Sequence, residues 1–416
     1  MNKQPHTPSL RFPQFSGNWE IKKLGEVAEF KVTNSFSRDN LNYVSGKVKN
    51  IHYGDIHTKF QTLFDLSKEN VPFINEEINI DKISNDNYCK NGDILFADAS
   101  EDLNDVGKSI EIINTNNEPL LGGLHTLLAR PKENLFYLGF NGYLFKSNKI
   151  RLQIQKESQG AKVLGISISR LSNIELSFPS LPEQEKIAGF LTVVDEKLQA
   201  LKKKKALLEE YKKGIMQRIF SGQLRFKDAH GQSYPDWEVR KLGEVASFFS
   251  GGTPLTTIRD YFNGEIPFIR SGEINSDYTE QFISESGLKN SSAKMVKKGD
   301  LLYALYGATS GEVGISKING AINQAILCIR SIQNIIFLMN YLRYNKEIIL
   351  KTFLQGGQGN LSADIIKSLE ISFPSLPEQE KIAEFLGALD AKIAALQSQL
   401  DKTMEWKKGL LQGMFC

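Results

Sequence analysis

The residues best equipped for chemistry in this chain fail, set by set, to assemble a catalytic pattern. Gly107-Lys108-Ser109 ends like a phosphate-binding loop, but the position of that motif's first glycine is Asp102, so no glycine-rich cradle forms. Glu183-Gln184-Glu185-Lys186 could be taken for a nuclease's acidic cluster, yet it recurs as Glu378-Gln379-Glu380-Lys381 at a second predicted helix start, which favours a structural role. Methylation of adenine would need an Asn- or Asp-Pro-Pro-aromatic loop and a glycine-rich cofactor turn, and neither is present. The five histidines show no metal-ligand spacing, and Cys89, Cys328 and Cys416 contain no Cys-x-x-Cys pair. The expectation is a binding protein rather than an enzyme, with no metal and no cofactor, in a reducing cytoplasm.

Positioning is written into the chain as a repeat. Phe178-Pro179-Ser180-Leu181-Pro182-Glu183-Gln184-Glu185-Lys186-Ile187-Ala188 returns unchanged as Phe373-Pro374-Ser375-Leu376-Pro377-Glu378-Gln379-Glu380-Lys381-Ile382-Ala383, 195 residues later. Trp19-Glu20-Ile21-Lys22-Lys23-Leu24-Gly25-Glu26-Val27-Ala28 returns as Trp237-Glu238-Val239-Arg240-Lys241-Leu242-Gly243-Glu244-Val245-Ala246, 218 residues later. The frame is shared while the filling differs in length and in polar residues. Echoes such as Gly92-Asp93-Ile94-Leu95-Phe96 against Gly299-Asp300-Leu301-Leu302-Tyr303 predict one fold for both fillings and different recognition by each.

Ser180-Leu181-Pro182-Glu183 reads as a capping box with proline in the first turn. Beyond it Ile187, Leu191, Val194, Leu198, Leu201, Lys205, Leu208, Tyr211, Ile215 and Ile219 alternate spacings of four and three, a coiled-coil seam interrupted at Lys205. Ile382, Leu386, Leu389, Ile393, Leu396, Leu400, Thr403, Trp406, Leu410 and Met414 repeat it. Two helices of about 40 residues, each roughly 60 Å long, are predicted, and chain connectivity makes them antiparallel. The expected fold is α+β: two mixed α/β domains separated by two long helices packed as an antiparallel coiled coil, with a pseudo-two-fold repeat. The boundaries are a mobile tail at 1–18, a first domain at 19–178, a helix at 179–222, a linker at 223–236, a second domain at 237–373 and a helix at 374–416. The 416 residues suffice for such domains, and no apolar run approaches the roughly 20 residues of a membrane span. The formal charge of +3 does not by itself announce nucleic-acid binding.

This order of filling, Pro-Ser-Leu-Pro-Glu-Gln-Glu-Lys-Ile helix, second filling and second helix resembles the specificity subunits of type I restriction-modification systems across essentially the whole chain. The resemblance implies two target-recognition domains, each reading half of a bipartite site in double-stranded DNA. It also implies a helical spacer that docks two modification (methyltransferase) subunits, with restriction (translocase) subunits completing the complex. S-adenosylmethionine, ATP and magnesium would belong to those partners. Glu183, Gln184, Ile187, Leu191, Leu198, Glu378, Gln379, Ile382, Leu386 and Ile393 are the spacer and partner-contact candidates.

In the first domain the DNA-binding candidates are Asn34, Ser35, Arg38, Lys47, Lys49, His52, His57 and Lys59, which mix phosphate-binding cations with groups able to read base edges. Lys162 follows in the loop Gln159-Gly160-Ala161-Lys162. In the second they are Thr253 in Ser250-Gly251-Gly252-Thr253-Pro254, Arg259, Arg270 and Ser271, then Tyr306, Thr309 and Ser310, and finally Gln358 and Asn360. The glycines would let backbone approach a ligand, and Arg270 carries the planar fork that fits guanine O6 and N7. Solvated loops and ordinary glycine turns are the competing reading. His125, within apolar Leu124 to Leu128, reads as a core histidine, and Lys202 to Lys205 as a solvated helix face. A two-headed scaffold that binds proteins is the alternative, which a salt titration would distinguish.

Overall fold

The computed structural model describes residues 7–353 and 360–416. It comprises two compact units, one of residues up to 202 with 399–416 and the other of residues 203–398. In unit 1 the strands Glu20–Lys23 and Glu175–Phe178 pair antiparallel, with Glu20 opposite Phe178. In unit 2 Glu238–Lys241 and Glu370–Phe373 do the same, with Glu238 opposite Phe373. The two recurring motifs of each copy are thus hydrogen-bonded neighbours that close the differing segment between them.

That segment forms two main sheets in each unit, with a further two-stranded pair, Ala99–Ser100 with Leu164–Gly165, in unit 1. Unit 1 has a five-stranded sheet in the order Ala28–Lys31, Thr126–Pro131, Ile94–Ala97, Ser109–Asn114, Leu63–Asp65, and unit 2 has its first four strands as Ala246–Ser250, Ile326–Ser331, Leu301–Ala304, Val313–Ile315. Ile94 and Phe96 face one apolar cluster while Leu95 and Ala97 face another; Leu301 and Tyr303 are split from Leu302 and Ala304 in the same way. The two-residue period of a strand therefore supplies two cores, which is why these central strands read as unbroken apolar runs. Arg130 clamps Asp93 at 2.8 and 2.7 Å, and Arg330 clamps Asp300 at 2.9 and 2.6 Å.

One core position differs in kind. Glu111 lies opposite Ile94, where unit 2 places Ile315 opposite Leu301. Its buried carboxylate accepts the N–H groups of Gly139 at 2.7 Å and Gly142 at 2.6 Å. Burial outweighs these bonds and pushes the carboxyl up to about 7. A carboxyl raised in the folded state stabilises the fold fully below its unfolded value and loses that contribution as pH rises through the folded one. Unit 1 should therefore melt at lower temperature at pH 8 than at pH 5, and Glu111→Gln should flatten the difference in a pH series of thermal scans. An unchanged slope in the variant would refute the assignment.

The long helices span Leu181–Phe220 and Leu376–Gly413. In unit 1, Lys407 donates to Asp195 at 2.5 Å, and the Ser177 hydroxyl ahead of the first helix lies 3.2 Å from the Cys416 thiol past the second. In unit 2, Lys212 donates to Asp390 at 2.6 Å, and Phe226 meets Phe385 with ring centroids 5.7 Å apart. In each unit the pairing is antiparallel. Ile187, Leu191, Val194, Leu198 and Ile219 are buried, as are Ile382, Leu386, Leu389, Leu396, Leu400, Leu410 and Met414. Leu201, Lys205, Leu208, Ile215 and Ile393 are partly buried, and two expected seam residues are exposed, Tyr211 at 52% and Trp406 at 47%.

The helix starts correct the capping reading. Glu183 does not reach back to Ser180, because both its oxygens accept the Arg11 guanidinium, each at 2.7 Å. Glu378 takes Arg225 in the same way, each at 2.8 Å. Each arginine also donates to backbone carbonyls of its own segment, Arg11 to Ser16 and Gly17, Arg225 to Tyr234 and Pro235. Within the stretch expected as a mobile tail, residues 10–17 are consequently bound down, and residues 1–6 lie outside the described residues: Leu10 N–H donates to the Gly413 carbonyl at 2.8 Å, as Leu224 N–H does to that of Arg218 at 2.9 Å. Arg218 and Gly413 are repeat equivalents, so the first described residues take up the repeat where the second helix ends.

Candidate functional site

In unit 1 the short helix Tyr53–Thr58 follows the strand Lys49–Ile51 and gathers several of the expected residues. His52 starts it, its Nδ1 accepting the Gly54 N–H at 3.1 Å. Asp55 is fully buried and accepts Arg38 at 3.1 and 2.8 Å and Lys59 at 2.9 Å. Burial raises the Asp55 carboxyl, but these hydrogen bonds outweigh it and hold it below the usual range. Tyr53 packs against His52, His57 and His125, with centroids 4.6, 5.8 and 5.3 Å away.

Arg38, His52, His57 and Lys59 are thus brought together, but Arg38 is committed to Asp55 and cannot offer a free fork to a base. Asn34 bonds Asn50 at 2.7 Å, and Lys49 pairs with Glu118 at 2.8 Å. Ser35, Lys47 and Lys162 are exposed, and among the described residues neither lysine has a carboxylate partner. His125 corrects its core reading: its side chain is 49% exposed, its φ is +55°, and its Nδ1 lies 3.1 Å from Asp98 Oδ1. It occupies the crossing from the sheet strand Leu120–Gly122 to Thr126–Pro131, where a turn replaces strand alternation.

Unit 2 brings corrections of its own. Arg270 donates to Glu273 at 2.6 Å and to Glu280 at 2.5 Å, so its fork is occupied within the unit. Ser271 opens the turn Ser271–Glu273. Ser310 points inward, its hydroxyl bonding the Leu305 carbonyl at 3.0 Å, and the Tyr306 ring packs against the core. Thr309 bonds the Tyr306 carbonyl at 3.5 Å. Gly251 is required by neighbouring backbone rather than by a ligand, since a Cβ there would sit 1.7 Å from the Ile322 carbonyl oxygen. Thr253 donates to Gln324 at 3.0 Å, and Arg259 and Asn360 are exposed. Gln358 lies outside the described residues.

Of the partner-contact candidates, Glu183, Gln184, Glu378 and Gln379 are buried and internally bonded, so they face no other molecule. Ile187, Leu191, Leu198, Ile382 and Leu386 fill the seam, and Ile393 is partly buried in it. The residues that sequence reasoning missed are Arg11 and Arg225. Their signal was present, as Leu10-Arg11-Phe12 returns as Leu224-Arg225-Phe226. Among the described residues no cluster of His, Cys, Asp and Glu could hold a metal, and no helix is long and apolar enough to cross a membrane.

The family model described as "Type I restriction modification DNA specificity domain" matches residues 16–210 and 234–405. The chain is 26% identical to the putative type I restriction enzyme MjaX specificity subunit of Methanocaldococcus jannaschii, over 98% of this chain and 95% of that one. Its fold is similar to the crystal structure of the type I restriction-modification S subunit from M. genitalium, with TM-score 0.61, 18% identity and 99% of both chains covered. It is also similar to a chain in a structure describing complex assembly of the type I R-M system, with TM-score 0.59, 16% identity, 94% of this chain and 96% of that one.

Proposed function

Because the chain belongs to the type I restriction-modification DNA specificity family, we propose that it is the non-catalytic, sequence-reading subunit of such a complex, acting in the cytoplasm. Each unit reads one half of a bipartite site in duplex DNA. The observation that carries this reading is one scaffold built twice with unlike tips: the closing ribbons, the arginine–aspartate clamps and the Arg–Glu helix anchors recur, whereas the turn after the parallel strand holds Asp55 with Arg38, Lys59 and histidines in unit 1 and Glu273 with Arg270 and no histidine in unit 2. Selection would keep a frame and vary its readers if the readers met different sequences.

Two modification subunits dock on the helix surface, which presents Tyr211 and Trp406 at equivalent positions 195 residues apart, and restriction subunits join them. The test is exchange of residues 237–373 for those of another family member, followed by methylation profiling of host DNA. One half of the recognised sequence should change while the other stays. Change in both halves would overturn independent reading. Binding that is insensitive to salt would instead favour a protein-binding scaffold, because phosphate contacts make affinity fall steeply with ionic strength.

A further inference from the structure

The turn that carries His125 holds chemistry the fold does not require. Asp98 follows the strand Ile94–Ala97, His125 precedes Thr126–Pro131, and Ala97 lies opposite Thr126. The Asp98 N–H donates to the His125 carbonyl at 3.0 Å. Unit 2 makes the matching bond beyond the matching pair, Ala304 opposite Ile326, from Leu305 N–H to the Ala325 carbonyl at 2.8 Å. The scaffold therefore accepts leucine and alanine here. His125 instead adopts a left-handed φ of +55°, a conformation that costs free energy in a residue with a Cβ and persists where the surroundings enforce it.

Its ring is fixed on two sides, by Asp98 Oδ1 at Nδ1 and by Tyr53, yet it stays half exposed. The carboxylate makes Nδ1 the donor, so in the neutral ring Nε2 is an acceptor. Among the described residues Nε2 has no partner. Asp98 and His125 line an open recess of about 410 Å³ together with Gln159, Ser167 and Arg170. Arg170 is engaged by Glu157 at 3.2 Å, and Ser167 by Ser169 at 3.0 Å. Gln159 is pinned through its backbone to Gly165 at 2.9 and 2.7 Å, and its side-chain amide has no partner among the described residues. Two free polar groups on fixed backbone, with a carboxylate beside them, suit a base edge. They do not suit a phosphate, which Asp98 would repel.

We propose that His125 and Gln159 are specificity-determining residues of unit 1, with Asp98 positioning the imidazole: His125 Nε2 accepts the one major-groove N–H of the exocyclic amine of an adenine or cytosine, and the Gln159 amide bonds the neighbouring base edge. The geometry matches the general pairing of Gln with adenine and of side-chain acceptors with the cytosine amine. This rests on the reading of unit 1 as a DNA-reading head.

The experiment uses the chain assembled with its modification subunits and duplexes carrying single-base changes in each half-site. His125→Ala should reduce discrimination at one A or C position of the unit 1 half-site by about 10-fold, leaving the other half-site unaffected. Asp98→Asn should cause a smaller loss at the same position. A duplex whose base there lacks the amine, purine for adenine or pyrimidinone for cytosine, should weaken the parent complex by a similar factor and His125→Ala no further. Asp98→Leu combined with His125→Ala reproduces the pair found in unit 2 and serves as the folding control. Unchanged preference at every position, or equal weakening on all sequences, would overturn the proposal while leaving DNA reading intact. Failure of the parent complex to discriminate any sequence would overturn both.

Discussion

Glu183→Ala and Glu378→Ala should each lower the unfolding free energy of the unit concerned by about 3 kcal/mol, the low end of the range for removing one partner of a buried ion pair. The glutamates are 1% and 0% exposed, while Arg11 and Arg225 keep 15% and 29% of their side-chain surface. The partial exposure of the arginines sets the low end, since each can recover some hydration once its partner is gone. What stays lost is the bidentate bond, the anchoring of the chain segment that each arginine holds, and in unit 2 the Trp237 indole N–H bond to Glu378 at 3.1 Å. Urea unfolding followed by tryptophan fluorescence separates the units, because Trp237 lies in unit 2 and Trp19 and Trp406 in unit 1. The double replacements Arg11→Met with Glu183→Leu, and Arg225→Met with Glu378→Leu, should recover much of the loss, as apolar substitutes remove the unpaired charge. Single substitutions costing under about 0.5 kcal/mol would class these as surface pairs and remove the anchor.

The same contacts account for the eleven-residue identity between the copies. Gln184 accepts the Tyr137 N–H at 2.8 Å and donates to the carbonyls of Pro179 and Leu135, and Gln379 accepts the Asn334 N–H at 3.0 Å and donates to the Pro374 carbonyl. Both helix starts are thereby sewn to their own heads by side chains that no other residue type would replace bond for bond. The repeat and the two helices were legible because identical motifs, proline and heptad spacing can be read directly from the residues. The purpose of Glu183 was not, since its partner lies 172 residues away and capping is the local inference available.

The tips were less legible for a related reason. Arg270 has the right shape for guanine, but whether its fork is free depends on Glu273 and Glu280, and only the fold brings Glu280 within reach. His125 sits among Leu124, Thr126, Leu127 and Leu128, a pattern that reads as a strand interior, and a positive φ has no signature in a histidine. For Arg38 the composition offers a cation, but not that its guanidinium is bonded to Asp55, buried on the next short helix. Composition brings candidates into view, and partner geometry decides which of them remain free.

Tyr211 and Trp406 carry the second large expectation. Heptad spacing assigns both to the seam, yet both are about half exposed. Leu207, one turn before Tyr211, is 55% exposed, and Val193 is 62% exposed. Trp406 is braced by Phe190, edge-on at 6.0 Å, so its ring is presented with little freedom to lose on binding. Trp and Tyr held this way are the residue types that dominate interface energies, commonly at about 2 kcal/mol or more each. On the proposed docking of one modification subunit at each position, Trp406→Ala and Tyr211→Ala should each weaken one docking event by about 30-fold or more. Native mass spectrometry at limiting concentration should then show complexes with one modification subunit for either single variant and none for the double, while the isolated chain's melting temperature stays close to the parent's. Two subunits retained in both single variants would move the docking surface elsewhere on the chain. Equal loss of both subunits from either single variant would show instead that the partners bind as a pair, with the two aromatic positions contributing to one shared interface rather than two.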